Sequence, residues 1–189
     1  MSQHPQTIQI YLPKGNPRGL RIAEITTRTV RMIEIPRLLL DDFLAMSEAE
    51  RVGVYFLIGS NDEDSLSRLY IGQSGDLATR LKEHHNKKDF WERAFVMVSR
   101  TNSMTQTHAL FLEWLSIKAA TEAARYILDN GNAGSRPHTT PPLEAECRGW
   151  CPKMYADKRR ANKKQQRHGI FELCKFKLPF AVPVAVDRI

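Results

Sequence analysis

The stretch LYIGQSGDLATRLKEHH, residues 69–85, carries a β-prone segment, a glycine turn and an amphipathic helix in direct succession. Apolar and small residues up to position 74 favour a strand. Asp76 stands where a helix N-cap or a first-turn acid is expected. Leu77 and Leu81 are four residues apart, so the helix presents both on one face. We therefore expect a strand that turns directly into a helix.

A second β-prone segment, RVGVYFLIGS at residues 51–60, precedes this stretch. The acidic sequence NDEDS separates it from the β-prone residues 66–74, and polar residues of this type are typical of turns. The two segments therefore predict an antiparallel hairpin. We expect its loop to be centred between Asp62 and Glu63.

That loop centre sets the register of the predicted hairpin. It places Tyr55 opposite Tyr70 and Gly53 opposite Gly72. Residues two apart on a strand share a face, so all four project to the same side of the sheet. Two phenols would then stand beside a patch without side chains, where a ligand or another backbone can approach closely.

Two further elements follow the helix. Residues 93–100, RAFVMVSR, are β-prone, and residues 107–128, THALFLEWLSIKAATEAARYIL, have the length and apolar content of a buried helix. Ser103 or Thr105 is expected to cap that helix. The resulting order is β-β-α-β-α. It predicts an α+β fold with a small three-stranded antiparallel sheet flanked by helices, rather than a doubly wound parallel sheet.

Composition divides the chain into three parts. Residues 1–48 contain TIQIYL, LRIAEIT and VRMIEI, in which apolar and polar residues roughly alternate, and they predict a β-rich N-terminal extension. Residues 49–137 form the predicted central domain. Residues 138–189 begin with a proline-containing linker and continue into a basic C-terminal tail.

The positive charge lies almost wholly in that tail. The formal net charge is +7, but residues 1–150 carry 18 Lys and Arg against 18 Asp and Glu, whereas residues 151–189 carry ten against three. Lys and Arg displace condensed counterions from DNA, so the tail predicts a sequence-independent phosphate contact. A solvated terminus that contacts no phosphate is the alternative. The candidate DNA-binding residues are Lys158, Arg159, Arg160, Lys163 and Lys164.

Hydropathy and cysteine content indicate the compartment. No apolar run approaches the roughly 20 residues of a membrane span, and the N-terminus has no basic segment followed by an apolar one. Cys147, Cys151 and Cys174 are an odd number and do not suggest a disulfide framework. We therefore expect a cytoplasmic protein without a membrane partner. With His138 and His168 the cysteines offer a zinc-bearing binding protein as an alternative, although the close second pair of usual zinc sites is missing.

Three side chains of the central domain have the types that phosphodiester hydrolysis needs. Arg80 and His84 are four residues apart and neighbours on one helix face. Glu113 is surrounded by apolar residues, where an ionised carboxylate is costly unless a cation or strong donors compensate it. A base activates water, a guanidinium neutralises charge on phosphorus, and a carboxylate holds a divalent cation. One carboxylate suits Mg²⁺, which keeps most of its waters. A structural ion pair between Arg80 and Glu113 is the alternative.

In this order and spacing the residues resemble the GIY-YIG nuclease family over about residues 51–132. Gly-Val-Tyr ending at Tyr55 replaces Gly-Ile-Tyr, and Tyr-Ile-Gly begins at Tyr70. An arginine ten residues after the second tyrosine, and a histidine four residues later, match the helix pattern of the family. The N-terminal segment resembles prefixes of uncharacterised bacterial members. The resemblance implies a GIY-YIG-like fold and a metal-dependent nuclease.

The resemblance also implies roles for single residues. Tyr55 and Tyr70 would be the active-site phenols, either of which serves as or assists the general base. Arg80 would contact the scissile phosphate, and His84 would assist proton transfer or bind phosphate. Glu113 would anchor one Mg²⁺ or Mn²⁺.

Glycines and an asparagine complete the family pattern. Gly53 and Gly72 would be the structural glycines of the motif. The family usually has an asparagine shortly after the glutamate helix, and Asn130 and Asn132 are the candidates. Asn132 is taken as the catalytic candidate, with Asn130 as the alternative.

These observations predict a metal-dependent DNA endonuclease with one active site per chain. Such a monomer would nick one strand, and a homodimer or a second binding event would be needed to cut both. The alternative is a DNA-binding or assembly module that keeps the nuclease fold without turnover.

Overall fold

The structure is a computed structural model and describes residues 6–60, 66–131 and 135–150. The strands are β1 (Ile8–Tyr11), β2 (Arg21–Ile25), β3 (Val30–Pro36), β4 (Gly53–Gly59), β5 (Arg68–Ser74), β6 (Arg93–Ser99) and β7 (Ile127–Leu128). The α-helices are α1 (Leu40–Leu44), α2 (Leu77–Lys87), α3 (Gln106–Ala123) and α4 (Pro141–Trp150), with short 3-10 helices at Arg37–Leu39 and Ser47–Glu50. No helix in these ranges is long and apolar enough to cross a bilayer.

The prediction of a small three-stranded sheet is wrong, because the described strands form one seven-stranded mixed sheet. Their order is β1-β2-β3-β6-β4-β5-β7, and every pair is antiparallel except β5 with β7. The three strands of the N-terminal extension belong to the same sheet as the central domain, because β3 pairs with β6 over seven residues. The fold remains α+β, but its sheet is more than twice as wide as expected.

Two hydrophobic cores lie on opposite faces of this sheet. Alternate residues of β4 supply them, since successive side chains of a strand point to opposite faces. Val54 and Phe56 belong to the core beneath α3 and α4. Tyr55 and Leu57 belong to the core that includes side chains of α1 and α2. Tyr55 is therefore fixed on the α2 face of the sheet.

The predicted register of the hairpin is wrong by two residues. Tyr55 lies opposite Gly72, and Leu57 lies opposite Tyr70. A shift by two keeps every side chain on its face, so the two tyrosines still project to the same side. The observed register requires glycine at position 72. A Cβ atom there would lie 2.3 Å from the Tyr55 hydroxyl oxygen, so only glycine leaves room for the phenol.

Local sequence signals account for the start of α2. Asp76 is its N-cap, and the Asp76 carboxylate accepts a hydrogen bond from the Thr79 backbone N–H at 3.2 Å. Leu77 and Leu81 are fully buried, as their spacing predicted. The apolar stripe packs α2 against the sheet, in the core that holds Tyr55 and Leu57 of β4.

Candidate active site

Tyr55 lies at the centre of a buried polar cluster between β4 and α2. Its side chain is fully buried. The Tyr55 hydroxyl oxygen lies 2.8 Å from Nε2 of His84 and accepts a hydrogen bond from Nε of Arg80 at 3.3 Å. Burial, with a further contribution from Tyr70, raises the pKa of Tyr55 well above its ordinary value. The phenol therefore stays protonated at neutral pH.

His84 is held neutral in this cluster. It is 5% exposed, and burial, followed by the nearby charges of Arg80 and Lys88, lowers the pKa of His84 to about 4. A neutral imidazole keeps one ring nitrogen as a hydrogen-bond acceptor. At neutral pH His84 can therefore accept a hydrogen bond from the Tyr55 hydroxyl.

Arg80 connects the buried cluster to the surface. Its Nε contacts Tyr55, and its Nη1 donates to the Glu83 carboxylate at 2.7 Å. The side chain is 42% exposed, and a guanidinium has five N–H donors. The guanidinium thus has one side anchored in the protein and another within reach of an anion from solvent.

Tyr70 is the more accessible of the two phenols. It is half-buried, and its ring centroid lies 6.2 Å from that of Tyr55 and 5.0 Å from that of His84. Lys88 Nζ stands 4.4 Å from the Tyr70 ring centroid and also pairs with Asp129. Tyr70 is therefore placed to meet a substrate, whereas Tyr55 is enclosed.

Glu113 approaches the same cluster from α3, which packs on the other face of the sheet. Burial raises the pKa of Glu113, while a hydrogen bond from the Gln73 backbone N–H and the charge of Arg80 oppose the rise. Arg80 forms its ion pair with Glu83, and among the residues that the structure describes it forms none with Glu113. The Glu113 carboxylate is half-buried, and the Gln73 amide and the charge of Arg80 offset only part of the cost of burying its charge.

Asn130 closes the outer edge of β5. The short strand β7 pairs only with Arg68 and Leu69. Beyond them, the Asn130 side chain accepts a hydrogen bond from the Ile71 backbone N–H at 3.0 Å and donates one to the Ile71 carbonyl at 2.7 Å. Asn130 therefore fixes the backbone of Ile71, the residue between Tyr70 and Gly72.

Several predicted residues lie outside the described part of the chain. They are Asn132, Lys158, Arg159, Arg160, Lys163 and Lys164. Cys151, Cys174 and His168 of the zinc alternative also lie outside it, while Cys147 is buried in the core. Within the described residues no group of three or more His, Cys, Asp or Glu side chains is arranged to hold a metal ion.

Sequence reasoning missed Lys88. It follows His84 by four residues at the end of α2, and this spacing is the signal that could have placed it beside the phenols. The Gln73 backbone amide was also missed, because which amide faces Glu113 depends on how β5 and α3 pack. The structure brings Tyr55, Tyr70, Arg80 and His84 into one cluster, and the charge of Arg80 also acts on Glu113.

Comparisons with known protein families, with curated proteins and with solved structures found no match.

Proposed function

We propose that this protein is a metal-dependent DNA endonuclease of the GIY-YIG type, which hydrolyses phosphodiester bonds at the cluster around Tyr55. The observation that carries the proposal is the cluster in which Arg80 and His84 contact the Tyr55 hydroxyl, with the Tyr70 ring beside them and Glu113 close enough to feel the charge of Arg80. A guanidinium, a phenol and a carboxylate are the groups that hydrolysis of a phosphodiester needs.

Glu113 is the residue that would hold Mg²⁺ or Mn²⁺. The Glu113 carboxylate suits a hard cation. Burial raises the pKa of Glu113, and a bound cation would favour the ionised carboxylate. A single protein carboxylate is compatible with Mg²⁺, which keeps several waters. When bound, the ion supplies charge stabilisation at the phosphate oxygens.

Arg80 would hold the scissile phosphate. A phosphate that approaches from solvent competes with the exposed Glu83 carboxylate for the guanidinium, and bidentate binding to a phosphate favours arginine. Tyr55 keeps the guanidinium in place through the hydrogen bond that it accepts from Nε. Tyr55 is therefore proposed as a positioning residue rather than the base.

Tyr70 would contact the attacking water. It is the phenol with an accessible side chain, and its ring packs beside both Tyr55 and His84. His84 is buried behind Tyr55, where its neutral imidazole orients the Tyr55 hydroxyl. This division of roles leaves one phenol for chemistry and one for the scaffold.

A nicking assay on supercoiled plasmid tests the proposal. Wild-type protein should convert plasmid to open circles with Mg²⁺ or Mn²⁺ and not with EDTA. Arg80→Ala should abolish nicking, and Lys82→Ala, which removes an exposed charge from the same helix, should not. Absence of cleavage on plasmid, branched and single-stranded DNA alike would instead favour a DNA-binding module without turnover.

A further inference from the structure

A cleft opens where the β2–β3 turn meets the end of β6. Its volume is about 450 Å³. Its lining is composed only of threonine and arginine side chains, which offer hydroxyl and guanidinium donors. Within the described residues no carboxylate lines it. The lining residues are Thr26, Thr27, Arg28, Thr29, Arg31, Arg100 and Thr101.

The guanidinium groups of this cleft are only partly neutralised. Arg31 pairs with Glu24 at 2.8 Å and with Glu48 at 2.6 Å, and Arg100 shares Glu24 at 3.2 Å. Arg28 donates to a backbone carbonyl of α4. Two carboxylates thus face three guanidinium groups. The buried Nε of Arg31 has no hydrogen-bond partner among the described residues. The cleft retains positive charge and unused donors.

The cleft lies at the same end of the sheet as the candidate active site. The register runs from Arg31 to Val98, from Val98 to Gly53 and from Gly53 to Ser74. These four residues form one row across neighbouring strands, on the face that carries Tyr55. Three strand spacings separate Arg31 from Ser74, which is roughly 14 Å. Ser74 lies two residues before Asp76, the N-cap of the helix that carries Arg80, so the cleft and the candidate active site share one edge of the sheet.

The helix that precedes the basic tail in the sequence contacts a residue of this cleft. Arg28 contacts the carbonyl of Gly149, one residue before the end of α4. Residues 151–189 follow directly and carry ten Lys and Arg against three Asp and Glu. Because no carboxylate lines the cleft, the cleft would repel the basic tail, and the tail is not its expected occupant. A polyanion shared by the cleft and the tail is the occupant that the charges favour.

We propose that this cleft binds a backbone phosphate of the DNA duplex, separate from the phosphate held at Arg80. This inference rests on the proposed function, since it takes DNA as the ligand. Arginine and threonine side chains are common donors to DNA phosphates, and such contacts fix the position of a protein on the duplex without reading its sequence.

Duplex binding in EDTA tests the cleft separately from cleavage. Fluorescence anisotropy with a labelled duplex would give the affinity at several salt concentrations. Arg100→Ala should weaken binding about 5- to 10-fold and reduce the slope of log K against log salt by about 1. Arg18→Ala is the matched control, because Arg18 is exposed in the β1–β2 connection at the opposite end of the sheet.

A second variant guards against an indirect effect of losing the Arg100–Glu24 pair. Thr29→Glu places a negative charge on the exposed turn and should also weaken duplex binding, with an unchanged thermal unfolding midpoint. Wild-type affinity and salt slope in both variants would overturn the cleft assignment, even if the protein nicks DNA. Conversely, an Arg100-dependent salt slope without any cleavage would support the cleft and contradict the proposed nuclease.

Discussion

The hydroxyl oxygen of Tyr55 and Nε2 of His84 lie 2.8 Å apart in the protein interior, where they join the sheet to helix α2. Neither group reaches solvent to any useful extent, because Tyr55 is fully buried and His84 is 5% exposed. The same hydroxyl accepts a hydrogen bond from Arg80. The Tyr55 hydroxyl, fixed by His84, therefore holds Arg80, the residue that we propose as the phosphate ligand.

Tyr55→Phe should destabilise the protein. The substitution keeps the ring but leaves the buried His84 nitrogen and Nε of Arg80 without this oxygen, at a cost of about 1–3 kcal/mol in the free energy of unfolding. Urea unfolding measures the change. Tyr11→Phe is the control, because Tyr11 is 64% exposed and its hydroxyl should contribute little. Equal stability of the two variants would show that the Tyr55 hydroxyl is not structural.

Tyr70→Phe should separate catalysis from stability. Tyr70 is half-buried, so loss of its hydroxyl should change the free energy of unfolding by less than about 1 kcal/mol. The nicking rate should nevertheless fall about 100-fold, the usual contribution of a group that assists proton transfer. A wild-type nicking rate in Tyr70→Phe would remove this phenol from the chemistry.

Gly72→Ala should displace the Tyr55 ring. A Cβ atom at this position would lie 2.3 Å from the Tyr55 hydroxyl oxygen and 2.4 Å from the carbon that bears it. Such overpacking typically costs about 1–3 kcal/mol in stability, and nicking should be lost with the geometry. Gly75→Ala is the matched control, since the nearest atom to its Cβ is the mobile end of Gln106 at 3.3 Å. Equal unfolding midpoints would refute the close approach.

The neutral state of His84 predicts a pH dependence of stability. The pKa of His84 falls from an ordinary 6.5 to about 4 in the folded protein. Between these pH values the unfolded state binds more protons, so acidification should destabilise the fold, by at most about 3 kcal/mol from this residue. His84→Gln should reduce this dependence between pH 6.5 and 4. His85→Gln, which alters an exposed neighbour, should not. Parallel curves for wild type and His84→Gln would contradict the assignment.

Sequence patterns predicted the local elements better than the sheet. Alternation in β4 and β5 placed both tyrosines on one face, and this survived a two-residue error in register because a shift by two preserves the face. The pairing of β3 with β6 joins segments about 60 residues apart, and no local pattern specifies such a partner. Pro141 and Pro142 suggested a linker, but they begin α4, because proline is tolerated in the first turn of a helix.

In the candidate site, too, the sequence predicted local spacing but not non-local packing. The spacing of Arg80 and His84 on one helix was readable, and both reach the Tyr55 hydroxyl. That Tyr55 is enclosed and Tyr70 accessible depends on how Leu77 and Leu81 seat α2 against the sheet. Burial of a side chain among non-local partners is a property of packing, so the sequence left the roles of the two phenols open.

The most direct test of the account is the plasmid nicking rate of Glu113→Gln in Mg²⁺, measured under single-turnover conditions. Glutamine keeps the shape of the side chain and removes the charge that would hold the ion. Glu122→Gln is the matched control, since Glu122 is exposed on the same helix. The account predicts a fall of at least about 100-fold for Glu113→Gln and none for Glu122→Gln. Wild-type nicking by Glu113→Gln would contradict it.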